Sequence, residues 1–280
     1  MSNERFDIAI IDADSMLYAI AYKYNTKELC RKQVDRTIDR VMENTEANAA
    51  VVFIKGNGNF RFDADPEYKA HRKDTIPPEI KALINDMYDY CETFAMCSED
   101  GEADDYCTAT ARMAREEGKH HIVVHIDKDL DCIPGWHYNF KSEIFREITH
   151  EYAYRFMMQQ FLTGDATDNI HGLKGIGPVK AKKIMDGYSE EQLWDVVVSA
   201  WQAHQGSDWK DNFVRCVNCI FLRPDLNDLR PLTFEELKER LTWTKFMATG
   251  SLSQIDPMEP SDSFTEYLDQ QEECTLDENN

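Results

Sequence analysis

Several things this 280-residue chain lacks narrow what it can do. No apolar run approaches the roughly 20 residues of a membrane-spanning helix. The first residues, MSNERFDIAIID, hold an apolar run too short for a secretory signal and broken by an aspartate, so the expected compartment is the cytoplasm. Of the eight cysteines only Cys216 and Cys219 have C-x-x-C spacing, and no second pair completes a tetrahedral zinc site. That pair lies in KDNFVRCVNCIFL, which reads as a helix with cysteine as a small, reduced core residue. There is no P-loop, no EF-hand loop and no internal repeat. Basic residues are also short: 31 Lys and Arg face 52 acids, for a net charge of −21. Such a balance argues against a nucleic-acid partner until its distribution is considered. Residues 251–280 hold nine of the acids and no base, which marks a solvated acidic tail suited to a protein contact. Many of the remaining acids fall in tight clusters, where cations would cancel part of the charge.

What is present reads as an α/β chain followed by a helical one. FDIAIID (6–12), AAVVFI (49–54) and HIVVHI (121–126) are short, apolar, β-branched runs separated by helical stretches at 29–48, 78–91 and 103–117. Strands apolar almost throughout, alternating with helices, predict a mostly parallel central sheet covered on both faces. From about residue 153 the pattern becomes helical, with EEQLWDVVVSAW (190–201) and DNFVRCVNCIFL (211–222) as amphipathic segments. The expected organisation is an α/β core over 1–152, a helical region over 153–250 and the tail over 251–280.

The acids gather where an open parallel sheet binds ligands, beyond the carboxyl ends of its strands. Asp12 closes the first run, and Asp127 and Asp129 close the run at 121–126. Glu102, Asp104 and Asp105 open the helical stretch at 103–117, where capping and the helix dipole also favour acids. Asp165 and Asp168 share an i, i+3 spacing that one helical turn would put on one face. Any one of these suits a cap or a solvated surface. Eight carboxylates together would repel strongly without cations, and an all-oxygen set suits Mg²⁺ or Mn²⁺. Two such ions about 4 Å apart clamp a phosphate for in-line attack. No histidine stands in the acidic motifs as a general base, so water activated by the metals is the expected nucleophile.

After Asp168 the chain turns basic. GLKGIGPVKAKKI places glycines at 172, 175 and 177, Pro178 at an expected helix start, and Lys174, Lys180, Lys182 and Lys183 with no acid among them. Glycines let backbone N–H groups approach a phosphate, and a helix N-terminus favours an anion. A glycine-rich turn between helices also occurs for packing reasons alone.

Together these residues resemble the 5′-nuclease superfamily: flap endonucleases and the 5′→3′ exonuclease domains of bacterial DNA polymerase I. GDATDNIHGLKGIGPVKA resembles the family's helix–three-turn–helix signature. IDADSMLY (11–18), DPEYKAHRK (65–73), GEADD (101–105) and IDKDL (126–130) match four further blocks in order and spacing. The resemblance covers residues 6–187 and is greatest to the compact 5′-exonucleases of tailed bacteriophages, which implies the cytoplasm of an infected bacterial host. It implies a PIN-like fold with a DNA-binding helix–three-turn–helix. It also implies a monomeric, two-metal 5′→3′ exonuclease acting on duplex DNA with a 5′ end or flap, or on RNA–DNA hybrids as in primer removal during replication. By position, Asp12, Glu102, Asp104 and Asp105 match a first metal cluster, and Asp127, Asp129, Asp165 and Asp168 a second. Lys69 and Arg72 match a catalytic cationic pair at the scissile phosphate, and Tyr68 an aromatic on which a terminal base stacks. Gly172, Lys174, Gly175, Gly177, Lys180, Lys182 and Lys183 match the grip on duplex DNA, where the carbonyls of Gly175, Ile176 and Gly177 can bind K⁺.

The sequence departs from the family in one place. An aspartate is expected just after the second strand, and VVFIKGNGNFRFD has Ile54 and Lys55 there, with Asp63 too far along. His71 also stands where many members have asparagine. Three readings of the missing acid stay open: a dispensable outer ligand, a different electrostatic role for Lys55, or weakened catalysis. The last leads to the alternative of a non-enzymatic, DNA-binding replication accessory protein.

Overall fold

A computed structural model describes residues 5–71 and 76–248. Arg72 and the acidic tail therefore lie outside the described residues. The chain begins with β1 (Ile8–Asp12), α1 (Ala13–Ala21), α2 (Lys27–Thr45) and β2 (Ala49–Asn57), then α3 (Arg61–Ala64) and α4 (Pro78–Cys91). β3 (Met96–Glu99), α5 (Ala103–Glu116) and β4 (His121–Val124) follow. A 3₁₀ turn at Lys128–Cys132 leads into β5 (Gly135–Asn139) and β6 (Ile144–Ile148). The rest is helical apart from one small hairpin: α6 (His150–Thr163), β7 (Gly164–Asp165), β8 (Ile170–His171), α7 (Pro178–Met185), α8 (Glu190–Gln205), α9 (Trp209–Ile220), α10 (Phe234–Leu241) and α11 (Trp243–Ala248).

The six-stranded sheet has the order β3-β2-β1-β4-β5-β6, and only the β5–β6 pair is antiparallel. The expected mostly parallel sheet, flanked by helices, is what forms. Successive strand residues face opposite sides, and the core divides accordingly. Ala9 and Ile11, Val52 and Ile54, and Ile122 and Val124 pack under α1, α2 and α4. Ile8 and Ile10, Val51 and Phe53, and Val123 pack under α5 on the other face. Burial on both faces explains why these strands read as unbroken apolar runs. β3 (MCSE), β5 (GWHYN) and β6 (IFREI) had no such signal. β3 and β6 are the sheet's edges, and every residue of β6 except Ile148 is exposed.

α6 to α11 enclose a second, aromatic core in which Trp194, Trp201 and Phe213 meet edge-on. Cys216 and Cys219 are buried in it on α9, as core residues. The two cores are pinned by one ion pair with almost no exposure. Arg61 of α3 donates two hydrogen bonds to Asp105 of α5, at 2.6 and 2.9 Å, and a third through Nε to the Cys219 carbonyl at 2.9 Å. The Arg223 backbone N–H adds a further bond to Asp105, at 2.9 Å.

Removing one partner of such a pair strands a buried charge. Arg61→Ala is expected to lose about 3–5 kcal/mol in urea unfolding. The double variant Arg61→Met/Asp105→Leu should lose clearly less than the sum of its two single variants.

Candidate metal and phosphate site

The sheet's order reverses between β1 and β4: β1 leads to β2 and β3 on one side, and β4 to β5 on the other. A crevice opens beyond the carboxyl ends of strands at such a point, and the acids converge there. Asp12 ends β1 and caps α1, accepting from the Asp14 N–H at 3.1 Å and the Ser15 hydroxyl at 3.0 Å. Burial, helped by Asp14 and Asp127, pushes its carboxyl up to about 7. Asp104, in the first turn of α5, is held well above the carboxylate range by burial, Glu102 and Asp105.

Glu102 precedes α5 and is heavily engaged. Oε1 accepts from Asn59 at 2.9 Å and from the Lys69 ammonium, and Oε2 accepts from the Tyr68 hydroxyl at 2.9 Å. Burial alone would raise its carboxyl, but Lys69 and Arg61 hold it below the ordinary value. Asp105 has a different post from the one expected. It is fully buried, and Arg61, the Glu102 N–H and the Arg223 N–H occupy both its oxygens. Burial works against its charge, but Arg61 outweighs it and keeps the carboxyl low. Asp105 thus props the cluster from behind and offers no free oxygen to an ion.

On the β4 side, Asp127 caps the 3₁₀ turn by accepting from the Asp129 N–H at 2.9 Å. Asp129 takes a bond from Gln160 of α6 at 2.6 Å, and burial beside Asp127 pushes its carboxyl up to about 6. Asp165 pairs with Lys128 at 3.1 Å and accepts from the Thr167 N–H at 2.7 Å. Burial opposes its charge, yet Lys128 and Thr167 keep the carboxyl low.

The expectation of one helical face for Asp165 and Asp168 is corrected. Asp165 ends β7, and Asp168 lies in the turn before β8, so the two part company. Asp168 joins Glu102 instead, through the Tyr68 hydroxyl at 3.2 Å and the Lys69 ammonium at 3.6 Å. Lys69 itself lies on no helix. It sits in a turn with φ of 55°, its N–H bonded to the Asp168 carbonyl at 2.8 Å. Tyr68, expected as a stacking platform, is buried in the helical core and gives its hydroxyl to the two carboxylates, leaving its ring no free face. His71 is exposed.

Asp14 was not foreseen. One of its oxygens accepts from the Lys55 N–H at 3.0 Å and from the Tyr88 hydroxyl at 2.8 Å, which fixes the carboxylate at the end of β2. Burial outweighs these bonds and raises its carboxyl. Ile54 is fully buried in the core under α1 and α4, where a charge could not stand, and the Lys55 ammonium lies 4.7 Å from the Tyr88 ring centre. The acid absent from β2 is thus matched by one two residues after Asp12. The alternating acids of IDAD were the available signal.

Lys69 and Lys128 neutralise only part of this group. Burial first, and neighbouring carboxylates second, raise the carboxyls of Asp12, Asp14, Asp104 and Asp129. An all-oxygen, over-charged set fits hard divalent cations and not softer ones.

The basic turn follows α6 and the β7–β8 hairpin. Gly172 serves packing: a Cβ there would fall 2.2 Å from the Thr163 carbonyl carbon. Gly175, with φ of 76°, and Gly177 stand in open space. Pro178 begins α7, and no side chain caps that helix. Lys174, Lys180, Lys182 and Lys183 are exposed around it, and Lys180 donates to the Gly175 carbonyl at 2.8 Å. The Ile176 side chain packs against the helical core.

Residues 7–150 match the family described as 5′-3′ exonuclease, N-terminal resolvase-like domain. Over 160 residues, 53% of this chain, the sequence is 31% identical to DNA polymerase I of Deinococcus radiodurans, and the match spans only 17% of that protein. It is 26% identical over 212 residues to the flap endonuclease Xni of Pseudoalteromonas translucida, covering 70% of this chain and 81% of that one. The fold is similar to that of the bacteriophage T5 flap endonuclease in a pseudo-enzyme–product complex with DNA and metal ions. The TM-score is 0.63 at 18% identity, covering 87% of this chain and 98% of that one.

The Asp12 carboxyl, with a folded-state value above its ordinary 3.8, contributes stability that is full below about 4 and lost as pH rises through 7. At pH 8 in a chelating buffer, Asp12→Asn, which keeps the helix cap, should melt several degrees above the unaltered protein, at roughly 2–4 °C per kcal/mol. Mg²⁺ should raise the melting temperature of the unaltered protein and close the gap, as read by scanning fluorimetry.

Proposed function

The chain belongs to the 5′-nuclease superfamily, and from that footing we propose that it is a divalent-metal-dependent 5′→3′ exonuclease. Its substrate is duplex DNA with a 5′ end or flap, and RNA–DNA hybrids are within the same chemistry. The observation that carries this reading is the convergence of over-charged carboxylates at the β1/β4 crevice. Asp12, Glu102 and Asp104 would hold one Mg²⁺ or Mn²⁺, and Asp127, Asp129 and Asp165 a second, with Asp14 and Asp168 at the margins. When bound, such ions polarise a phosphodiester and lower the pKa of water.

The chain's own groups do the rest. Tyr68 orients Glu102 and Asp168 with one hydroxyl. Arg61 holds Asp105, and with it the start of α5, in register. Lys69, the ammonium among the carboxylates, can pair with a phosphate oxygen as negative charge develops there. The uncapped start of α7 and the exposed lysines around it suit backbone phosphates, read without regard to sequence. A K⁺ ion on the carbonyls of Gly175, Ile176 and Gly177 would have to displace Lys180 from Gly175. Against the accessory-protein alternative stands Asp14, which supplies a carboxylate where β2 lacks one. The tail at 251–280 is proposed as a contact for a replication partner, and the enzyme as a monomer in the cytoplasm of an infected bacterial host.

A 5′-labelled duplex incubated with the protein and Mg²⁺ should release nucleotides, and EDTA or Asp127→Ala should abolish the release. Release that persists in either control would refute the metal mechanism, and retained binding without release would establish the accessory reading. For Lys69→Ala, cleavage should fall at least a hundredfold while duplex affinity changes less than threefold. Equal losses would make Lys69 a positioning residue only.

A further inference from the structure

Beneath the loop that carries Asp127 and Asp129 lies a second cluster, built from different chemistry. His125 follows β4, His137 lies in β5 and Asp131 in the 3₁₀ turn, all three buried. One potential ligand atom from each lies within 4.8 Å of the other two. The imidazole hydrogen bonds show what the cluster lacks. His125 Nδ1 is 2.5 Å from the Asp127 carbonyl oxygen, and His137 Nε2 is 2.8 Å from the Ile133 carbonyl oxygen. A carbonyl only accepts, so both of these nitrogens carry hydrogen. A neutral imidazole has one N–H, which leaves His125 Nε2 and His137 Nδ1 as bare lone pairs. Those two nitrogens face each other at 2.6 Å, with the rings close to perpendicular at 78°. Two lone pairs cannot hold that approach without a cation between them.

We propose that His125 Nε2, His137 Nδ1 and the Asp131 carboxylate form a structural site for a borderline divalent transition metal of the Zn²⁺ class, separate from the carboxylate cluster. Two imidazoles and one carboxylate are a zinc-type donor set. A histidine whose other nitrogen donates to a carbonyl is in the tautomer and orientation that metal ligation uses. Arg146, which ion-pairs with Asp131, holds that carboxylate in place. Two nitrogens on one tetrahedral zinc stand roughly 3.3 Å apart, so binding parts the rings by somewhat under 1 Å. The consequence reaches the nuclease site: an ion on His125 braces the Asp127 carbonyl, and through it the turn that presents the Asp127 and Asp129 carboxylates.

Full-length protein is stripped with chelator and titrated with Co²⁺ in a large excess of Mg²⁺, which occupies the carboxylates. One Co²⁺ per chain, with a ligand-field spectrum of low coordination number, is expected to persist in Asp127→Ala. Uptake should vanish in His125→Gln and His137→Gln and weaken at least tenfold in Asp131→Asn. Uptake that Mg²⁺ abolishes, or that survives both histidine variants, overturns the proposal. A readout independent of variant folding is imidazole ¹⁵N NMR of the unaltered protein with Zn²⁺. Shifts at two of the eight histidines are expected. An imidazolium between two rings that Zn²⁺ leaves unchanged would assign the gap to a proton and overturn the metal.

Discussion

The structure depends on one electrostatic constraint, the gathering of carboxylates at the point where the sheet reverses its strand order. A parallel sheet directs the ends of β1 and β4 into one crevice, and this chain places an acid at each. Helix starts and a hairpin turn bring in others until the local negative charge exceeds what Lys69 and Lys128 can neutralise. Burial then makes each ionised carboxylate costlier still. Much of the surrounding architecture offsets that cost. Tyr68 and Tyr88 give hydroxyls, Ser15, Gln160 and the Lys55 backbone give further donors, and Arg61 removes Asp105 from the competition.

That constraint also accounts for how the two halves of the chain are joined. The carboxylates sit on elements from both, so their spacing requires the halves to be fixed relative to one another. The Arg61–Asp105 pair does this from α3 and α5, with bonds onward to the Cys219 carbonyl and the Arg223 N–H. Gln160 does so from α6, by reaching Asp129. Tyr68 does so from within the helical core, with a hydroxyl that ends among the carboxylates. The basic turn before α7 follows Asp165 and Asp168 directly, so the proposed grip on the duplex and the proposed cutting site share one short segment.

Much of this was legible in the sequence, because its causes are local. Apolar runs buried on both faces gave β1, β2 and β4, and acids at the ends of the β1 and β4 runs pointed to the crevice. What escaped depended on partners distant in sequence. β3 and β6 are edges recognisable only by what they pair with, and β5 is a polar strand that pairs between β4 and β6. Asp105 resembled a ligand because nothing local reveals Arg61, 44 residues away. Asp168 parted from Asp165 because the chain forms a short hairpin there, and Tyr68 and Lys69, about a hundred residues distant, reach into its turn. Asp14 stood unremarked within IDADSMLY, and only the Lys55 N–H and the Tyr88 hydroxyl show where its carboxylate is held. The histidine pair was invisible for the same reason, since β5 itself was not read as a strand.

The crevice is proposed as a divalent-cation site built from all-oxygen donors. Anomalous diffraction from crystals grown with Mn²⁺ tests it most directly. Two peaks about 4 Å apart are expected, one among Asp12, Glu102 and Asp104 and the other among Asp127, Asp129 and Asp165. The Lys69 and Lys128 ammonium groups should withdraw from the carboxylates they now meet. No peak in the crevice, with both lysines still paired there, would contradict it.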